Sequence, residues 1–178
     1  MMLWRRYYRD MATGALISEE EYLRSSYKPN CEYIDGVLRQ KAMGTRKHAR
    51  LQIRLGTLLS TRFRAFEPAS ELTCRIRPGK YLLPDLALQK ADHIQDPYPT
   101  EPVFLGIEIL SAGDRLSETL AKCEDYLDWG VETTWIIDPE AGRAWEYRKG
   151  QRLSEVTAGG SLTAEPISIP LADLFTVL

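Results

Sequence analysis

The 178-residue sequence predicts one mixed α/β domain, a sheet with helices packed on it, and three observations predict it. Strand-like apolar runs occur at residues 81–89, 103–110 and 133–138. Two stretches, 47–63 and 114–129, carry apolar residues at helical spacing. No repeat, low-complexity tract or composition break divides the chain. With 44% hydrophobic and 27% charged residues, the chain can bury a core without covalent staples.

The elements follow in order. Ser18 with Glu21 three residues on forms a capping-box pattern that opens a short helix over 18–25. Residues 32–39 read as a hairpin around Asp35-Gly36, a pair that tolerates positive φ. In the 47–63 helix Leu51, Leu55, Leu58 and Leu59 share one face, and Arg46, Arg50 and Arg54 lie on or near the other. His48 falls beside Leu55 and Leu59, so it starts the inward face. It reads either as a satisfied core or helix-end histidine or as a catalytic one.

Strands are expected at 71–77, 81–89 and 103–110. The loop 91–101, with Pro97 and Pro99 and followed by Pro102, is expected as an exposed excursion near the site. A helix over 114–129 ends at Gly130. Its stripe Leu116, Leu120, Cys123 and Leu127 should pack on the sheet. A second row, Arg115, Lys122, Tyr126 and Trp129, mixes cations with aromatics. That row reads as a lysine snorkelling past aromatics, as a face buried against another element, such as the partner in a homodimer, or as the border of a site where Lys122 is used. Strands 133–138 and 144–148 pair around the turn 139–142, and the stretch beyond 150 yields no element.

Net charge is -2 with a pI near 5.8, so attraction for nucleic acid must come from a local patch. Two clusters qualify: Arg46, Lys47, Arg50, Arg54, Arg62 and Arg64, and then Arg75, Arg77 and Lys80. Each also reads as an ordinary solvated face or loop. Cys31, Cys74 and Cys123 are odd in number and widely separated, which supports neither a disulfide framework nor a Cys-x-x-Cys site. With His48 and His93 the only histidines, any metal should be oxygen-ligated. No apolar run is long enough to cross a bilayer, and residues 1–6 are basic without a following apolar segment. A cytoplasmic protein is expected, with no membrane partner.

Asp85 and Glu108 sit at the ends of successive expected strands. If those strands pair, both acids point into one site. Two desolvated carboxylates repel unless a cation or proton lies between them, which suggests a hard divalent metal. The other reading makes Pro84-Asp85 a turn and Glu108 a strand-end charge bound for water.

Taken in order, Cys31-Glu32-Tyr33-Ile34-Asp35-Gly36, His48 opening a helix, Pro84-Asp85, Glu108-Ile109-Leu110-Ser111, Lys122 with Tyr126, Gly130-Val131 and Trp135-Ile136-Ile137-Asp138-Pro139 resemble the Uma2 family of the PD-(D/E)xK nuclease superfamily. The resemblance covers roughly residues 17–150, a family-like core within a single domain of residues 1–178, with 151–178 as a C-terminal extension. It implies a restriction-endonuclease-like core, a central mixed sheet flanked by helices. It also implies a metal-dependent DNA endonuclease in which Asp85, Glu108 and the Ile109 carbonyl hold Mg²⁺ or Mn²⁺.

Glu32, His48 and Tyr126 become accessory residues, and Arg46, Arg50 and Arg54 would position the DNA backbone. One departure stands out: the superfamily's motif lysine, two residues after the glutamate, is replaced by Leu110. The resemblance moves that role to Lys122 on the following helix. An inactive nuclease-like module that binds nucleic acid or protein is the main alternative, and a structural homodimer is a third.

Overall fold

The computed structural model describes residues 16–176, so the basic opening at residues 1–6 lies outside the described residues. Ser18 caps α1 (Glu19–Arg24), its hydroxyl accepting from the Glu21 amide at 3.1 Å. β1 (Cys31–Ile34) and β2 (Val37–Gln40) form the expected hairpin, with Ile34 opposite Val37. Asp35 and Gly36 at its turn have φ of 47° and 91°, matching the twist of the flanking strands. α2 (Arg46–Arg62) is capped by Thr45, which accepts from the His48 amide, and buries His48, Leu51, Leu55 and Leu59.

Two expected strands divide differently. In place of strands at 71–77 and 81–89, the chain forms β3 (Phe66–Ser70), β4 (Cys74–Arg77), β5 (Lys80–Leu82) and β6 (Leu86–Lys90). The apolar run breaks at Leu83-Pro84-Asp85, because Pro84 has no N–H to give a ladder. Its halves join different sheets. β5 belongs to a four-stranded sheet of order β2-β1-β5-β4, whereas β6 belongs to the main sheet. β3 carries Pro68 and lies at the edge of that main sheet, where a missing donor is tolerated.

The chain continues through β7 (Leu105–Ile109), α3 (Leu116–Trp129), β8 (Thr133–Asp138), β9 (Arg143–Arg148) and β10 (Ser154–Glu155). The main sheet runs β10-β9-β8-β7-β6-β3; β7 and β8 are parallel, with α3 as their crossover, and the other pairs are antiparallel. The fold is therefore mixed α/β, as expected. Alternation along β7 gives the sheet two different faces. Leu105, Ile107 and Ile109 pack with Trp135, Ile137 and the leucines of α2. Gly106, Glu108 and Leu110 turn toward α3.

The stretch beyond 150 supplies β11 (Ser161–Ala164), β12 (Ile167–Pro170) and α4 (Leu171–Phe175). Leu162, Ala164, Ile167, Ile169, Leu171 and Leu174 join the same core as Leu51 and Trp135. The Trp135 indole N–H donates to the Thr163 carbonyl at 3.1 Å. Residues 91–101 form no helix or strand. They dock on β4 through the Arg75 amide and Pro99 carbonyl at 2.9 Å, and contribute nothing to the pocket described below, which corrects their expected place near the site. No helix among the described residues is long and apolar enough to cross a membrane.

Candidate active site

A cavity of about 90 Å³ opens where β1, β2, the N-terminal end of α2, the β5–β6 break, β7 and α3 meet. Glu32, Lys41, His48, Asp85, Glu108, Ile109, Ser111 and Lys122 are among its lining residues. Asp85 and Glu108 arrive by local rules. Pro84 ends β5, so Asp85 leaves the ladder, and its Oδ2 accepts from the Ile109 amide at 2.6 Å. That bond fastens the β5–β6 break to the end of β7. Glu108 is placed by strand alternation under α3, where the Tyr126 hydroxyl donates to Oε1 at 2.8 Å and Lys122 Nζ lies 2.9 Å from the same oxygen. Gly106 makes this possible: a Cβ there would stand 3.3 Å from the Tyr126 ring, so glycine lets that ring lie against β7.

Lys122 is the hub. Its buried ammonium also reaches Glu32 Oε1 at 2.6 Å and the Leu83 carbonyl at 2.8 Å. A second ammonium sits beside it. Lys41, just after β2, donates to Asp85 Oδ1 at 2.8 Å and to the Leu83 carbonyl at 2.9 Å, and it pairs with Glu71. His48 shares a 3.0 Å hydrogen bond between its Nδ1 and the Ser111 hydroxyl, and its Nε2 stands 3.6 Å from Asp85 Oδ1.

The carboxylates differ in their electrostatics. Burial pushes the Glu108 carboxyl up to about 7 against the pull of Lys122, with the Asp85 charge adding to the rise. Asp85 is also buried, yet Lys41, Lys122 and His48 hold it below the usual carboxylate range. Burial likewise opposes ionisation of Glu32, but Lys122 and Arg39 outweigh it and hold Glu32 low. Lys122 lies closer to Glu32 than to Glu108, Arg39 adds to the pull on Glu32, and the Asp85 charge adds to the rise of Glu108. Burial works against the Lys122 charge too, and Glu108, Glu32 and Asp85 overcome it, raising its pKa well above the usual lysine value. The Tyr126 hydroxyl is driven far above its normal range, first by burial and then by Glu108, so it remains a donor.

Asp85, Glu108, Lys122, Glu32, His48 and Tyr126 therefore form one connected cluster. Of the row Arg115, Lys122, Tyr126 and Trp129 on α3, Lys122 and Tyr126 are buried inside this chain, Trp129 is half-buried against its neighbours and Arg115 is exposed at the pocket. Of the three arginines proposed to meet DNA, Arg46 and Arg50 are exposed on α2. Arg54 is turned away, its guanidinium donating to the Asp173 carbonyl. Lys41, Glu71 and Gly106 carry no role in the motifs read from the sequence, and Ser111 enters there only as the end of the Glu108-Ile109-Leu110-Ser111 match. Lys41 stands alone among Gln40, Ala42 and Met43 with no periodicity to mark it, and Ser111 shows only as a polar residue following the Glu108 strand.

A family model described as Uma2, "Putative restriction endonuclease", matches residues 19–172. The chain belongs to the Uma2 family. A crystal structure of a "putative nuclease belonging to DUF820" from Anabaena variabilis superposes on this Uma2 chain with a TM-score of 0.75 at 22% identity, covering 90% of this chain and 98% of that one, and so shares its fold. A DrdV–DNA complex determined by cryo-electron microscopy overlaps 63% of this chain and 72% of its own at 18% identity, with a TM-score of 0.42. None of the curated proteins matches this chain.

The Uma2 pocket suits a hard cation in kind, since Asp85, Glu108 and the Ile109 carbonyl offer only oxygen. Among the described residues no trio of His, Cys, Asp or Glu side chains converges as a ready-made metal cage. A site of this kind would leave several positions to water and substrate, as Mg²⁺ sites commonly do.

Proposed function

We propose that this chain is a metal-dependent DNA endonuclease hydrolysing phosphodiester bonds, with Asp85, Glu108 and the Ile109 carbonyl holding Mg²⁺ or Mn²⁺. The observation that carries the reading is the Lys122 ammonium, 2.9 Å from Glu108 in the pocket that Asp85 lines. It supplies from α3 the cation that Leu110 lacks. Bound there, the ion would activate water and neutralise charge on the phosphodiester. Lys122 orients Glu108 and presents a fixed positive charge to the anion that develops on phosphorus. Tyr126 fixes the other side of Glu108, and the Ile109 amide fixes Asp85. Arg39 and Arg115 also line the pocket and would attract the DNA backbone without reading its sequence.

A second reading, a nuclease-like module that binds without turnover, draws on the saturation of both carboxylates by neighbouring donors. Cleavage of supercoiled plasmid with Mg²⁺ or Mn²⁺ separates the two. Wild type should nick or linearise the DNA, and Asp85→Asn should abolish cutting. Lys122→Met should slow it about a hundred- to a thousandfold, the usual effect of losing one preorganised charge-stabilising donor. Because that change strips Glu32 and Glu108 of their shared cation, it is best made together with Glu32→Gln, which removes the second stranded charge. Absence of cutting by wild type with either ion would favour the binding module, and unimpaired cutting by the Lys122 variant would remove its catalytic role.

A further inference from the structure

Lys41 bears directly on the proposed metal position. Asp85 has two carboxylate oxygens, and Oδ2 is committed to the Ile109 amide at 2.6 Å, a bond that ties two strands together. The other oxygen, Oδ1, carries the Lys41 ammonium at 2.8 Å. A cation that binds through Oδ1 must therefore compete with Lys41 for it. The lysine's other contacts form a berth beside the pocket. The ammonium lies 2.9 Å from the Leu83 carbonyl and 2.9 Å from Glu71 Oε2. Three acceptors match the three donors of an ammonium group.

Glu71 has a φ of 52°, a left-handed conformation that is unfavourable for a non-glycine residue. Neighbouring contacts hold it there: its amide faces the Asp85 carbonyl, and the Asn30 side-chain amide donates to its carboxylate at 3.4 Å. The berth carboxylate is thus fixed to the same backbone segment as Asp85.

Resting on the metal-centre reading above, we infer that Lys41 is the resident counter-cation of the metal position. It holds Asp85 Oδ1 in place before a divalent ion binds, and it lowers divalent affinity by competition. Glu71 and the Leu83 carbonyl retain the ammonium once Asp85 Oδ1 passes to the ion.

Calorimetric titration of the full chain with Mn²⁺ tests this, alongside thermal melting with and without the ion. Lys41→Met and the polar isostere Lys41→Gln should both bind Mn²⁺ about tenfold more tightly than wild type, since the competing charge is gone. Both should also gain more melting temperature from Mn²⁺ than wild type gains. Glu71→Gln should weaken binding in the wild-type background and have a smaller effect when combined with Lys41→Gln. If Lys41→Met does not fold without metal, Lys41→Gln supplies the comparison.

Wild type binding Mn²⁺ through Asp85, with folded Lys41 variants binding equally or more weakly, overturns the inference and leaves the metal centre standing. Binding by the Lys41 variants but not by wild type supports it in its strongest form. No binding by any of these proteins overturns both it and the metal centre.

Discussion

Replacing Glu108 with glutamine in the metal-free protein is expected to stabilise the fold at about pH 8 and to do little at about pH 5. Glu108 is buried and competes with Glu32 for one ammonium, 2.9 Å from its own oxygen and 2.6 Å from that of Glu32. Its carboxyl stands at about 7 when folded, against a usual value of 4.5. A carboxyl raised in this way contributes stability that is fully present below pH 4.5 and is lost as pH climbs through 7. The full loss corresponds to about 3 kcal/mol.

Glutamine retains the neutral shape and still accepts from Tyr126. The variant should therefore exceed wild type by roughly 1–3 kcal/mol at about pH 8, with each kcal/mol raising the melting midpoint by about 2–4 °C in a domain of this size. Urea denaturation of chelator-treated protein at the two pH values measures it. Glu32→Gln is the internal control with the opposite sign. Because Lys122 and Arg39 hold Glu32 low despite its burial, its stabilisation is present above 4.5, and the variant should be weaker at about pH 8. A Glu108→Gln protein less stable than wild type at about pH 8, or a gain undiminished at about pH 5, would refute the shared-ammonium argument.

Gly106→Ala should cost about 1–3 kcal/mol, because its Cβ meets the Tyr126 ring at 3.3 Å and the ring must shift off β7. Tyr126→Phe, read in the same melts, should cost less by keeping the ring seated. Arg46→Ala should weaken DNA binding across sequences and flatten its salt dependence by about one unit of slope per lost phosphate contact. Arg54→Ala should lower thermal stability and leave that slope unchanged, since its guanidinium serves the Asp173 carbonyl. A chain ending at residue 150 should lose cooperative unfolding in circular dichroism, because Leu162, Ile167, Ile169 and Leu174 complete the core around Trp135.

What the sequence revealed depended on whether a rule of period or capping applied. The helices 47–63 and 114–129 and the hairpin at Asp35-Gly36 were legible because amphipathic spacing and turn chemistry are local. Glu108 was legible only as a strand-end acid, open between a shared site and solvent, and its place under α3 follows from the pairing and crossover of β7. The break at Pro84-Asp85 was legible only as one of two readings, because the apolar run around it suits one strand as well as two, and the division between sheets gives Asp85 its position. Lys41 and Glu71 were illegible for a different reason: 30 residues separate them, and the four-stranded sheet brings them together through pairings that no local pattern encodes. The hairpin of β11 and β12 escaped because its alternating residues are mixed with Thr163, Glu165 and Pro166.

The exchange of the motif lysine for Leu110 has a structural logic that makes a last prediction. Alternation puts Leu110 on the same face of β7 as Glu108, but its side chain packs with Cys123, Ile136 and Trp145. Cys123 is the neighbour of Lys122 on α3, so the apolar contact at Leu110 seats the helix at the level where Lys122 meets Glu108. Restoring the superfamily pattern with Leu110→Lys would put an ammonium into that apolar cluster and loosen the contact that positions Lys122. The expected result is a loss of about 2–4 kcal/mol in stability and no recovery of cleavage when the change is added to Lys122→Met. Denaturant unfolding and plasmid cleavage of the single and double variants measure this. A double variant that is stably folded and cuts like wild type would show that the strand position reaches Glu108 after all, and that Lys122 is only one of two equivalent places for the charge.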